Sequence, residues 1–343
     1  MNLARRNLRI PALRAALAIL TFSILVYLPL SVAAQSCQTS SEMEDATKAA
    51  ITAAAQRAFD LAAKGDAASL RQSAIPSLAA AFSSAEATVK DHQQDLAGAQ
   101  TAARLVFLLD AAGTAPIPNA EFYCGVFGKT GQTSSSAVFS LDNLPPGKYA
   151  VVVLDATSSK GRTSFSLVLQ QEGTDWKLGG LFIKSAQVAG HDSDWFVARA
   201  REYKTKGQLH NAWLFYLQAR SLTSPVPFMS TQATDKLYDE SQSVQPTDLP
   251  SNGKTADLPA GTTTYKLTAI FPEAVGNDLD LIVKYQAADV SNTNLAYQSN
   301  VAAIKALVAK YPEIRDAFAG VVARAVDPSG RDYGTMLAMK DIK

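Results

Sequence analysis

The chain has 343 residues, of which 47% are hydrophobic, 18% charged and 8% aromatic. That is enough apolar material for a core, which excludes disorder as the main state and leaves room for roughly two to three domains. Lys and Arg number 32 against 31 Asp and Glu, with three His and two Cys. The near-zero net charge offers no pull on nucleic acid, and the few His and Cys argue against a structural metal site or a disulfide-dense scaffold.

The N-terminus carries a basic, apolar and small-residue order. Arg5, Arg6, Arg9 and Arg14 precede an apolar run from Ala15 to Val32, followed by Ala33 and Ala34. This reads as a secretory signal peptide over residues 1–34, cleaved behind Ala34, which directs the protein to the periplasm or the cell exterior. The alternative is a retained membrane anchor, but the run is near the lower length limit for a span and contains Pro29. After cleavage no stable membrane insertion is expected. Cys37 follows closely, so an envelope lipoprotein anchored there is a further alternative, although Gln35 fits the lipid-modification signal badly. The other cysteine, Cys124, sits in a strand-like segment, Glu121–Phe127. An oxidising compartment favours pairing of Cys37 with Cys124, and closing so long a loop contributes about 4–5 kcal/mol in the chain-entropy model. The alternative is one buried thiol and one on a tail.

Residues 41–101 are rich in Ala, Gln and charged residues and predict helices. Ser41 with Glu44 reads as a capping box, and Thr47, Ile51, Ala54, Ala58 and Leu61 share one helical face. Gly65 ends this helix, a second covers 67–81 with a break near Pro76, and a third covers 83–99. From Ala103 to Ile183 the period changes to two. Strands are expected at Arg104–Asp110, Glu121–Phe127, Ala137–Leu141, Lys148–Asp155, Arg162–Gln171 and Trp176–Ile183, joined as an antiparallel meander. Lys148–Asp155 is apolar on both faces and so central.

Helices followed by such strands over about 41–186 resemble the nuclear transport factor 2-like cone, an α+β fold. The likeness is carried by Phe59-Asp60-Leu61-Ala62-Ala63-Lys64-Gly65-Asp66 and by Trp176-Lys177-Leu178-Gly179-Gly180-Leu181. Leu144-Pro145-Pro146-Gly147-Lys148-Tyr149 resembles instead the turn and strand of transthyretin-like β-sandwiches, which would make 103–184 a sandwich behind separate helices.

Residues 187–241 predict two helices, up to Lys206 and over Asn211–Leu222, broken at Gly207. Small Ala200, Ala212 and Ala219 among large Phe196, Tyr203 and Tyr216, with Pro225 after them, resemble a single tetratricopeptide hairpin over 190–225. One copy cannot bury its own faces, so it must pack on another module, and a proline at Gly207 is expected to be tolerated. Residues 242–261 hold three prolines and read as a linker. A small α+β module follows over 262–343, with strands Thr263–Phe271 and Leu279–Tyr285. Its first helix is Asn294–Lys310, facing inward with Tyr297, Val301, Ile304 and Val308. A second helix is expected over Pro312–Val326 and a final strand over Tyr333–Ile342. The fold class is α+β: N-terminal helices on an antiparallel meander sheet, a central helical hairpin and a small C-terminal α+β module. As a whole the chain resembles exported bacterial proteins with no assigned activity.

Chemical motifs are sparse. Gly128-Lys129-Thr130 lacks the upstream glycine of a phosphate loop, where Tyr123 stands. His191-Asp192-Ser193-Asp194 reads as a helix start rather than a calcium loop. His92, Asp110 and Glu121 are the acid–base candidates if the cone is hollow. Trp195 and Trp213 are candidate partner contacts, and the tetratricopeptide likeness implies that Arg201 and Lys204 would face a ligand carboxylate. No metal or cofactor ligand set is present in the pattern. The expectation is a non-enzymatic binding or scaffolding protein whose partner is another protein or a small molecule. The rival is a small-molecule or hydrolase-like pocket in the cone, which needs that pocket not to be filled by Phe165 and Trp176.

Overall fold

The computed structural model describes residues 35–127, 131–251 and 253–343. The expected signal peptide and Gly128-Lys129-Thr130 lie outside the described residues. The fold is α+β, with three mostly antiparallel sheets. The first sheet joins β1 (Gln35–Thr39), β2 (Gln100–Ala111), β5 (Gly147–Ser158), β6 (Gly161–Glu172) and β7 (Asp175–Ser185) in the order β1-β2-β5-β6-β7. One face is covered by α1 (Asp45–Ala63) and α4 (Ser83–Leu96), with short α2 (Ala67–Gln72) and α3 (Pro76–Ala80) between them. Ala150, Val152 and Leu154 of β5 point into this layer, while Tyr149 and Val151 point to the other face. Helix α1 starts at Asp45 with Glu44 as its N-cap, and Ser41 caps nothing. Residues 39–42 fold on themselves instead, because Glu42 accepts from the Thr39 amide at 2.7 Å and hydroxyl at 2.8 Å.

The single meander holds for β5, β6 and β7. Strands β3 (Ile117–Cys124) and β4 (Ala137–Leu144) leave it and join β8 (Met229–Ser230) in a second sheet. Phe107 and Leu109 on β2 present apolar surface on the side away from the helices, and Phe122 and Phe139 cover it. Phe107 and Phe139 meet edge to face at 5.0 Å. The first sheet thus has helices on one face and strands on the other, a combination that neither resemblance implies alone.

Helices α5 (Ser193–Thr205), α6 (Leu209–Thr223) and α7 (Gln232–Gln242) follow. Gly207, between α5 and α6, has φ +75°, a region closed to proline, whose ring holds φ near −65°. The expectation that proline is tolerated there is therefore wrong. The last sheet has the order β13-β12-β11-β10-β9, built from β9 (Ala256–Ala260), β10 (Thr263–Val275), β11 (Asp278–Gln286), β12 (Gly320–Val326) and β13 (Asp332–Ala338). β11 and β12 are parallel and joined by α8 (Thr293–Lys310), as a parallel pair requires a crossover.

Three expectations change in this region. The helix expected over Pro312–Val326 is a 3-10 turn at Pro312–Asp316 and then β12. Pro312 does start a helical turn, but Val321, Val322 and Val326 suit a pleated surface, and β11 offers its edge. Ile304 and Val308 of α8 are buried as expected, together with Ala296, Asn300, Ala303 and Leu307, but Val301 is only half-buried and Tyr297 is 49% exposed. Asn300 disguises that face in the sequence. It is buried because it accepts from the Tyr285 hydroxyl at 2.8 Å and donates to the Tyr333 carbonyl at 2.9 Å. The linker expected over 242–261 is packed: Val244, Leu249 and Leu258 are buried, and β9 lies within it. One core runs from α5 and α6 through these residues to the last sheet.

Asp280 on β11 is 0% exposed and neither carboxylate oxygen finds a hydrogen-bond partner. Burial, and next the charge of Asp278, raises its pKa. The native state therefore binds a proton more tightly than the unfolded state, so this residue subtracts stability as pH rises above the usual carboxylate value. Asp280→Asn is expected to be more stable than wild type at neutral pH by about 1–3 kcal/mol. Unfolding in urea at several pH values checks it: the gain should shrink towards zero in acid.

Candidate functional site

A polar row lies where the first sheet meets the helical hairpin. The register pairs Asp155 of β5 with Ser164 of β6, and Ser164 with Lys184 of β7, so the three line up across one face. Arg104 joins the row from an irregularity in β2, between Ala103 and Leu105, and its Nε donates to Asp155 at 2.9 Å. Lys184 Nζ donates to the carbonyls of Ser221 and Ser224 at the C-terminal end of α6. Those carbonyls have no partner within the helix, so the lysine satisfies them and fastens sheet to hairpin. Burial, and next the nearby Arg104 charge, lowers the Lys184 pKa. Lys184→Met is expected to cost about 1 kcal/mol, read as a lower urea midpoint, because the isosteric chain keeps the packing and loses only the two bonds.

A cleft of about 290 Å³ opens beside the row. Arg162 reaches across it to Asp192 at 2.7 Å, and Asp192 caps α5 by accepting from the Trp195 amide at 3.1 Å. The hydrogen bond from the Trp195 amide, outweighing burial and helped by Arg162, holds the Asp192 carboxyl below its usual range. The motif His191-Asp192-Ser193-Asp194 is thus a helix start. Each arginine of the cleft already has its carboxylate. Such a wall can hold a small polar ligand by exchanging ion pairs, but it offers no nucleophile set against a base.

The acid–base candidates do not meet. His92 lies on α4, its Nδ1 3.2 Å from Asp95. Glu121 lies on β3 and accepts from the Tyr123 hydroxyl at 2.6 Å. Asp110 stands near the end of β2, opposite Ser36 and Lys148. Helix α4 covers one face of the first sheet and β3 the other, so the sheet separates His92 from Glu121. The space beneath the helices is filled: Phe165 is 0% exposed and meets Phe59 edge to face at 5.1 Å, with Trp176 packed alongside.

The candidate partner contacts are engaged within the chain. Trp213 is buried in the core shared with the last sheet. Trp195 is partly buried and stacks on His191 at 3.7 Å. Arg201 donates twice to Glu240, at 3.0 and 2.8 Å, and Lys204 donates to Ser243 at 2.9 Å. Helix α7 and the residue after it therefore supply the partners that the likeness assigns to a ligand. Cys37 and Cys124 form a disulfide, with Cα atoms 5.0 Å apart.

One cluster escaped the sequence. His210, at the start of α6, has Nδ1 2.6 Å from Glu313 and Nε2 3.0 Å from Asp248, and its ring lies 4.4 Å from that of Tyr311. Its partners lie 103 and 38 residues away along the chain, so no local spacing signals them. Among the described residues no group of three His, Cys, Asp or Glu side chains is placed to hold a metal, and no helix is long and apolar enough to cross a membrane. Compared with known proteins, the chain matches no family model, no curated sequence and no solved structure.

Proposed function

We propose that the protein is exported and acts in the periplasm or outside the cell as a non-enzymatic binding or scaffolding protein. The observation that carries this reading is the bond between Cys37, three residues past the expected cleavage site, and Cys124. Disulfides form and persist in oxidising compartments and are rare where glutathione keeps thiols reduced. The scaffolding part is supported by how the modules are fastened. The hairpin shares its core with the last sheet, and its polar groups are spent on Glu240, Ser243, Glu313 and Asp248. The three acid–base candidates lie apart around a filled interior, which favours binding over catalysis.

The test is N-terminal sequencing and mass spectrometry of unreduced protein recovered from the host. The expected product begins at Gln35 and carries paired cysteines. A product that begins at Met1, a lipid-modified Cys37, or two free thiols would contradict the reading.

A further inference from the structure

The cleft beside the polar row has two walls of opposite charge. The sheet supplies Arg104, Arg162 and Asp155, with Ser164 between them. The start of α5 supplies Asp192 and Asp194 and no cation. Of the residues that line the cleft only Ala186 and Leu222 are apolar. Its volume of about 290 Å³ falls just below the roughly 300–1,000 Å³ of clefts that take drug-sized molecules. An occupant that fits is therefore small and polar.

Ser164 is the group that calls for one. Phe165 and Leu167 face the helical layer, so Ser164 faces the other side of the sheet, where the cleft lies. Ser164 is 5% exposed, and its hydroxyl oxygen has no hydrogen-bond partner in the chain. Buried hydroxyls are ordinarily bonded, and one left unbonded costs stability. The guanidiniums also have donors to spare. Each carries five N–H groups, and Arg104 spends its Nε on Asp155 while Arg162 spends one terminal nitrogen on Asp192. Arg162 and Asp192 face each other from opposite walls at 2.7 Å, with side chains 49% and 41% exposed, so this pair opens at little cost. Asp194 has no ion-pair partner among the described residues.

We propose that this cleft binds a small zwitterion, a free α-amino acid with a short side chain. Its carboxylate lies on Arg104, Arg162 and the Ser164 hydroxyl, and its ammonium lies on Asp192 and Asp194. A simple anion would draw Arg162 away and leave the acidic wall without a counter-charge. A simple cation would draw Asp192 away and strand Arg162. A zwitterion completes both walls at once, which is the electrostatic match that selects one ligand over another. The walls already touch through Arg162 and Asp192, so the two charges of the ligand must lie close together, as they do on one α-carbon. This inference rests on the binding reading proposed above and names the ligand class.

The test is isothermal titration of the protein with glycine and with L-serine, beside acetate, methylammonium and glycylglycine at the same concentrations. The two amino acids are expected to bind, and the three controls to bind at least about tenfold more weakly. Arg162→Gln and Asp194→Asn, both at exposed positions, should each weaken amino-acid binding by about tenfold or more, the loss of one charged hydrogen bond. Ser164→Ala should weaken it by about threefold to tenfold while leaving the melt of the free protein no lower, since it removes an unbonded hydroxyl. The proposal is overturned if neither amino acid binds, if acetate or glycylglycine binds as tightly, or if Arg162→Gln and Asp194→Asn both leave binding unchanged. None of these results touches the N-terminal sequencing and thiol analysis that test export. Nuclear magnetic resonance of the recovered ligand separates the two readings further: an amino acid returned chemically altered would uphold the site and overturn the non-enzymatic role.

Discussion

Replacing Cys37 by serine and Cys124 by alanine is expected to lower the stability of the protein by about 4–5 kcal/mol. The bond closes a loop of 87 residues, and holding its ends together removes much of the freedom of the unfolded chain. Its native-state role is equally specific. β1 is a five-residue strand at the edge of the first sheet, paired on one side only, with β2. The disulfide ties it to β3, in the sheet that covers the opposite layer. Cys124 is 0% exposed, so alanine avoids leaving a buried hydroxyl without a partner. Urea unfolding with and without reductant measures the effect. The wild-type midpoint should fall on reduction to near that of the variant, and the variant should not respond to reductant.

Phe215→Ala is expected to cost about 3–5 kcal/mol, the range for deleting a buried aromatic ring. Phe215 is 1% exposed and touches both sides of a junction. Its ring lies 5.5 Å from Phe196 and 5.0 Å from Tyr203 on α5, and 5.7 Å from Phe318, which leads into β12. The cavity would open between hairpin and sheet, where rigid neighbours leave little room to collapse. A thermal melt should show the midpoint falling for the whole 187–343 region rather than for the hairpin alone. Ala212→Trp, at a 0% exposed site in the shared core, should cost about 1–3 kcal/mol through overpacking.

What the sequence disclosed followed from local periodicity. The strands from β2 to β7 show as alternation, the break at Pro76 as a missing amide, and the ends at Gly65 and Gly207 as positive φ, observed at +71° and +75°. Pairing was less legible. Strands β3 and β4 carry the same period-two signal as their neighbours, and only the apolar surface around Phe107 decides which sheet they join. β12 was hidden because proline at a first turn is a strong local signal, whereas its parallel partner lies beyond an intervening helix. The polar site was hidden for a related reason. Lys184 finds its carbonyls 37 and 40 residues away, and Arg201 finds Glu240 39 residues away on a helix outside the hairpin pattern. Asp280 is a harder case, since an acid in a strand ordinarily signals solvent, and here the residue is buried without a partner.

The proposed scaffolding role requires modules that hold one another in place, and the hairpin is where that is decided. Helices α5 and α6 have 13 and 15 residues, lengths at which isolated helices are marginal in water. Their aromatic residues Phe196, Trp213, Phe215 and Tyr216 are buried in the core completed by the last sheet. Circular dichroism and urea unfolding of residues 187–241 expressed alone, beside hydrogen exchange of the same residues in the whole protein, give the direct test. The fragment is expected to be largely unfolded, while its amides are protected in the whole chain. A fragment that folds and melts cooperatively by itself would instead make the hairpin an independent domain, and the scaffold would lose its structural basis.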